Sequence, residues 1–541
     1  QQQYRDDLAS LMYDAELLSK GILLKSAIEF EKLLDNQNDN RLKDIYRQSK
    51  ANRSEIERLR REAGSAEDME KILKLTQENQ RLQTQLNQSS HEMNDFTHYI
   101  SYSWKDVHAQ LKDGDVSIEF AAVKLGLDDT DSHMVALLLS KDMVQPTAMV
   151  LWNEENLMNC DDTELTGQLI NASITGRNVK EVLNEAREKL SKASGISMKP
   201  EWELYLDLLE HKADTTHGVF TPLMMPMVKY RELLLQDSVM FVKPDVGEIV
   251  WGRLSPYLQG KKRIFFSADG IFNRIGIEYL PFNGKPLSEQ FEVYRLSSTK
   301  ELCYKHEGRK STKAALFGDI NYNDQAQSSK AKAAQPSTAL QRGAGGEDTF
   351  ADLKNTLREV DGIRDILAGK GVGDVKRFRD SEASKSAFMR LTDTNVNLLH
   401  IATHGMYMNS KKRTDADSMQ NSLLAFAGAN LDANGLVTAA DIATMNLRQS
   451  DLAVLSACET GLGILGGDGV FGLQRGFKNA GVRTLLMSLK NVYDDSTADL
   501  MISFYQHLME GATKREALVK AQQDIRRKGF KDPKYWATFI L

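Results

Sequence analysis

Cysteine is scarce: Cys160, Cys303 and Cys458 are the only three in 541 residues. They are widely separated and odd in number, which excludes a disulfide framework and any Cys-x-x-Cys metal pair. A reducing, cytoplasmic setting with at least one free thiol is the expectation. Long apolar runs are missing as well. No stretch approaches the roughly 18–20 apolar residues that span a bilayer. The start, Gln1-Gln2-Gln3-Tyr4-Arg5-Asp6-Asp7, lacks the basic and apolar segments of a signal peptide. Residue 1 is not Met, so what precedes it stays open. Charge of one sign is lacking too: the net charge is −6 with 27% charged residues. Both signs are interspersed, so neither a membrane surface nor direct nucleic-acid binding is indicated. The length is too great for one ordinary core, and two to four domains are expected.

Proline is absent from residues 1–112, where Leu, Glu, Gln, Lys and Arg dominate. That composition predicts long helices. Ile72, Leu75, Leu82, Leu86, Met93, Phe96 and Ile100 recur at steps of three, four and seven and draw one apolar stripe. The stripe suits packing on the chain's own next domain first and a partner-binding coiled coil second. After Gly114 the texture changes. Strand-length apolar or alternating pieces at 116–123, 133–139, 263–268, 293–296, 314–318, 398–402, 452–457 and 484–489 are separated by helical patterns, among them 165–170 and 179–193. The alternation predicts an α/β fold, a mainly parallel sheet with helices on both faces, preceded by an all-α region. Residues 323–346 are rich in Ala, Gln, Ser, Lys and Gly without apolar periodicity, and read as an exposed loop. The domain reading is therefore 1–114 helical, 115–322 a first α/β half, 323–346 a loop, and 347–541 a second α/β half.

Chemistry concentrates at two strand ends. His404 follows the strand 398–402, and Gly405 behind it lets a backbone come close to a ligand. Cys458 follows the strand 452–457, with glycines leading on to a helix expected near 470–477. The carboxyl ends of parallel strands are where open α/β sheets carry their working groups. Were the two strands neighbours, a spacing of about 4.8 Å would bring imidazole and thiol within reach. A thiol with a pKa near 8.5 needs a base to become a thiolate, and His404 is the candidate. Backbone N–H groups of Gly405 and Cys458 are candidate donors to an oxyanion.

His400-Ile-Ala-Thr-His404-Gly405 and Val454-Leu-Ser-Ala-Cys458-Glu-Thr-Gly461 resemble the two signature blocks of CHAT domains, caspase-related modules usually attached to tetratricopeptide repeats. The stretch beginning Ser267-Ala-Asp-Gly, Leu280-Pro-Phe, Leu357-Arg-Glu-Val, Gly469-Val-Phe-Gly, Phe504-Tyr, Ala517-Leu and Tyr535-Trp-Ala-Thr resemble further family blocks in family order, across about 116–541. Residues 13–34 resemble the last helices of a repeat array. The order, His first and Cys 54 residues later (458 − 404), is similar to the roughly 50-residue separation of caspases.

The resemblance implies a caspase-like fold, a non-catalytic half followed by a catalytic one, in a clan that includes separase. It implies a cysteine endopeptidase with a His404/Cys458 dyad, no metal or organic cofactor, protein substrates cut after a basic residue, and control by a protein regulator or activator at the helical region. The carboxylate that receives a basic residue is matched by Asp494 or Asp495, although Lys490 replaces the usual Trp nearby. The same acids also suit a helix N-terminus. Under a basic preference, Lys330, Lys332 and Arg342 in the loop are candidate self-cleavage sites.

Other readings compete. Gly461-Leu-Gly-Ile-Leu-Gly466 matches the dinucleotide pattern, but the acid expected about 20 residues on is missing. A catalytically silent scaffold is the stronger rival, because buried Cys is common as a small apolar residue. His400 reads as a satisfied core histidine. His91 and His98 have no accompanying ligands for a metal, and Lys411-Lys412-Arg413 reads as a solvated loop.

Overall fold

The computed structural model describes residues 2–20, 102–124, 132–153, 178–192, 247–304, 312–325, 349–407, 419–457, 463–466, 469–490 and 492–541, with isolated helical positions between 44 and 82. The expected helical start is present as Gln2–Ser19. Of the apolar stripe, Leu75 is half-buried and Leu82 buried, both helical; its other members lie outside the described residues. So do the expected helix 165–170, the pair His91 and His98, and the basic run 411–413.

Two compact units divide the chain. One gathers Gln1–Leu17, Ser103–Cys303 and Lys531–Ala537; the other Leu18–Tyr102, Tyr304–Phe530 and Thr538–Leu541. The first unit holds a mixed five-stranded sheet ordered Thr147–Asn153, Ser132–Ser140, Asp115–Lys124, Arg263–Ser267, Glu292–Leu296. Its first two pairings are antiparallel and its last two parallel. Helix Gln2–Ser19 puts Tyr13 and Leu17 into an apolar cluster with Val107, Leu111, Leu137 and Leu139. The Tyr13 hydroxyl hydrogen-bonds Ser117 Oγ at 2.7 Å and Thr299 Oγ1 at 2.9 Å, so its polar atom is satisfied inside the core.

The second unit carries a six-stranded sheet ordered Phe539–Ile540, Thr484–Ser488, Leu452–Ser456, Leu398–Ala402, Lys313–Ile320, Asp374–Asp380. All neighbours are parallel except the short Phe539–Ile540 edge. Leu398–Ala402 and Leu452–Ser456 are buried at every residue, which is why they read as continuous apolar runs. Helix Thr356–Gly369 packs on this sheet and on helix Asp494–Met509, which pairs with helix Lys514–Arg527. The arrangement is a mixed α/β fold with parallel and antiparallel sheets, flanking helices and a helical N-terminal stretch. Among the described residues, no helix is long and apolar enough to cross a membrane.

Candidate active site

The two chemistry-bearing strands are neighbours. Leu398–Ala402 and Leu452–Ser456 run parallel in register, Leu398 opposite Leu452 and Ala402 opposite Ser456. Thr403 extends the pairing by one step, its N–H donating to Ser456 O at 3.2 Å. The Thr403 hydroxyl donates to Ala425 O and meets the Tyr322 hydroxyl at 3.0 Å. At His404 the chain turns. Its carbonyl accepts from Ala425 N at 3.0 Å, and Gly405 opens the strand Gly405–Tyr407, antiparallel to Ser422–Ala425.

The half-buried His404 ring lies near two aromatic rings, Tyr322 at 5.1 Å and Phe350 at 5.4 Å between centroids. Its Nε2 is 2.7 Å from the carbonyl oxygen of Ala351. A carbonyl can only accept, so Nε2 carries the proton and, in the neutral ring, Nδ1 is the unprotonated nitrogen. Burial lowers the His404 pKa, and although the Ala351 carbonyl and the Asp494 charge oppose the shift, the result stays below the ordinary histidine value. The imidazole is therefore neutral at neutral pH, the form that can take a proton. Burial likewise raises the Tyr322 hydroxyl, keeping it protonated.

Asp494 and Asp495 form the first turn of helix Asp494–Met509, as the helix-terminus reading expects. Asp494 Oδ2 accepts from Asn355 N at 2.9 Å and from Asn355 Nδ2 at 3.0 Å; Asp495 Oδ1 accepts from the same amide at 2.6 Å. Cys458 lies outside the described residues, as do Cys160, Lys330, Lys332 and Arg342. Ala457, just past the strand Leu452–Ser456, is the last described residue before Cys458, and its carbonyl accepts from the Ser488 hydroxyl.

His400 sits fully buried with Nε2 2.9 Å from Glu359 Oε1, in the core position that its place inside the strand suggested, but it is satisfied at that nitrogen alone: among the described residues Nδ1 has no hydrogen-bond partner. One expectation is corrected, and one competing reading loses its context. Gly463–Gly466 continues as a strand, antiparallel to Gly469–Gly472, and the helix begins only at Leu473. The helix expected near 470–477 is thus preceded by a hairpin strand. The dinucleotide fingerprint, which needs its glycines to open a helix, has no such context. Among the described residues no cluster of His, Cys, Asp or Glu could hold a metal ion.

Sequence reasoning missed Tyr322, Phe350, Ala351, Asn355 and Asn430. Tyr322 follows the strand beside the histidine strand, so the strand-end rule could have found it. Ala351 acts through its backbone, which leaves no residue-type signal.

Residues 246–541 match the CHAT domain, more than half of the chain. The chain belongs to the CHAT-domain family. The two signature blocks around His404 and Cys458 both fall within the matched CHAT stretch. No curated protein matches the sequence. Among solved structures, this CHAT chain is similar to the Arg-specific cysteine proteinase gingipain R (11% identity, TM-score 0.35), covering 54% of this chain and 65% of that one. It is similar to the complex of Porphyromonas gingivalis RgpB pro- and mature domains (10% identity, TM-score 0.31), covering 55% and 67%. The Saccharomyces cerevisiae separase–securin complex is a third (10% identity, TM-score 0.39), covering 80% of this chain and 30% of that one. The CHAT chain thus spans just under two thirds of the gingipain R chain and under a third of the separase chain.

Proposed function

We propose that the chain is a cysteine-type endopeptidase whose catalytic dyad is His404 and Cys458. The observation that carries this reading is the parallel register of Ala402 with Ser456. His404 follows the first by two residues (404 − 402) and Cys458 follows the second by two (458 − 456). The neutral imidazole with Nδ1 unprotonated supports the role of base.

In this reading Nδ1 takes the thiol proton and the sulfur attacks the scissile carbonyl carbon. The thioester forms as the imidazolium passes that proton to the leaving amine, and water then hydrolyses the thioester. Backbone N–H groups of Gly405 and Cys458 receive the oxyanion. Residues 347–541 act as the catalytic half of a caspase-like fold, with the strand Lys313–Ile320 and Tyr322 joining its sheet and site; the stretch from 115 up to that strand acts as the non-catalytic half and 323–346 as the segment between. The helical region 1–114 takes a protein regulator or activator. A basic residue before the scissile bond meets Asp494 or Asp495, and Lys330, Lys332 or Arg342 is a self-cleavage point.

The test is intact-mass spectrometry after incubation with an arginyl chloromethyl ketone, with peptide mapping. Cys458 becomes alkylated in the wild type, and the adduct is lost in Cys458→Ala and falls sharply in His404→Gln. Cys303 stays unlabelled, because burial pushes its thiol up to about 11. Masses that show no self-cleavage relative to Cys458→Ala would remove the loop proposal. A folded protein that never labels at Cys458 would sink the peptidase and leave a catalytically silent scaffold.

A further inference from the structure

His404 is aimed by a carbonyl that has little to hold it in place. Ala351 belongs to the irregular strap 349–355 that leads into helix Thr356–Gly369. Its side chain is exposed, as are those of Asp352 and Lys354, so packing does not fix it. Among the described residues no backbone-to-backbone hydrogen bond restrains Ala351 either.

What does restrain the strap is an amide on each side of Ala351. On one side, Asn430 pairs with the backbone of Phe350: Phe350 N donates to Asn430 Oδ1 at 2.7 Å, and Asn430 Nδ2 donates to Phe350 O at 3.0 Å. Asn430 is itself anchored, its N–H on Tyr322 O at 2.9 Å and its Nδ2 3.0 Å from Asn323 Oδ1. On the other side, Asn355 donates through its backbone and side chain to Asp494, and through its side chain to Asp495. Arg358 holds the start of the helix to the same neighbour, through Asp499 at 2.6 Å and the Asp495 carbonyl at 3.3 Å.

We propose that Asn355 and Asn430 are positioning residues for His404: they clamp the strap on both sides of Ala351 and so fix the carbonyl that holds the imidazole Nε2–H. This rests on the proposed role of His404 as base. It also gives Asp494 a task besides substrate binding, as the anchor of the clamp. Among the described residues, the groups that face or act on His404 are the Tyr322 and Phe350 rings, the Ala351 carbonyl and the Asp494 charge. Asp352 lies near Tyr322. With the strap loosened, water reaches the ring and the preference for one tautomer is lost.

The experiment uses the full chain in a Cys458→Ala background with isotope-labelled histidine, His404 being assigned by His404→Gln. Expected in the parent is the Nε2–H tautomer with a titration midpoint below the ordinary histidine value. Asn355→Ala and Asn430→Ala should mix the tautomers and raise the midpoint toward that value, while the buried His400 resonance stays unchanged and reports the fold. A change in melting temperature with tautomer and midpoint unmoved overturns the proposal. Should either alanine variant lose the His400 signal, Asn430→Asp, which keeps the acceptor for Phe350 N–H, carries the same readout. With Cys458 restored, Asn355→Ala should slow its alkylation by roughly 100-fold, the size of effect that misplacing a reacting group by about 1 Å can have. A parent that never alkylates sinks the peptidase reading and leaves the magnetic resonance arm to judge the clamp. A parent that alkylates, with an unmoved imidazole in the variants, sinks the clamp alone.

Discussion

Two histidines four residues apart show how environment divides one residue type into two roles. His400 points into a closed core and meets one carboxylate, Glu359. His404, past the strand end, is half-buried and offers an unprotonated nitrogen. Its pKa is held below the ordinary value chiefly by burial, with the Asp494 charge working in the opposite direction. Asp494→Asn keeps an oxygen for Asn355 but removes the charge, so the imidazolium loses stabilisation and the His404 pKa should fall further. A histidine titration by magnetic resonance checks the sign, and an upward shift would refute it. The direction is opposite to that expected for loosening the strap, so the two effects are separable. Linkage follows the same sign. The folded imidazole binds its proton less readily than the unfolded one, so this group's contribution is complete above the ordinary value of 6.5 and is lost as pH falls below it. The roles proposed for His404 and Cys458 could be read from the sequence because a residue type at a strand end carries a chemical signal. Asn355 and Ala351 were not, since a backbone carbonyl and a bridging amide look like any loop.

Among the elements, the helix Leu473–Asn479 is placed by an absence. A Cβ on Gly476 would stand 2.6 Å from the carbonyl oxygen of Ala439 and 3.1 Å from its Cα, the first residue of helix Ala439–Ala443. Backbone cannot swing aside as a side chain can. Gly476→Ala should therefore destabilise the protein by about 1–3 kcal/mol through overpacking, despite the gain of up to about 1 kcal/mol in helix propensity. Urea unfolding measures it, and a variant as stable as the parent would show that the helices separate freely. The strands of the second sheet were legible in proportion to their burial. Leu398–Ala402 and Leu452–Ser456 are apolar except at His400 and Ser456 because both faces are covered. The edge strand Asp374–Asp380 escaped notice because its exposed and half-exposed positions carry Asp, Lys and Arg. Thr147–Asn153, at the edge of the other sheet with Val150 exposed, carries no charge and escaped for a different reason, a short apolar run without a decisive period. Residues 470–472 of the strand Gly469–Gly472 were expected to open a helix because a short apolar run has no decisive period.

At the scale of the whole molecule, each unit assembles stretches far apart in the chain, and periodicity does not report such joins. Trp536, near the C-terminus, packs edge-on to Tyr279 at 6.1 Å in the first unit. Tyr13 binds Ser117 and Thr299, 104 and 286 residues away. The first unit's core therefore depends on a helix that the local sequence marks only by its composition and by its resemblance to the end of a repeat array. Leu17, 1% exposed in the cluster beside Val107, Leu111, Leu137 and Leu139, is the position that tests the dependence. Leu17→Ala removes buried volume that the surrounding strands cannot fully refill, at a cost of about 2–5 kcal/mol. Hydrogen exchange on the intact chain should then show amides of Asp115–Lys124 and Ser132–Ser140 losing protection. Those of Leu398–Ala402, in the other unit's sheet, should keep theirs, because no atom of that core has been touched. Equal loss in both sheets would mean that the two cores unfold as one. Unchanged protection in the first would mean that helix Gln2–Ser19 rests on that sheet without supporting it.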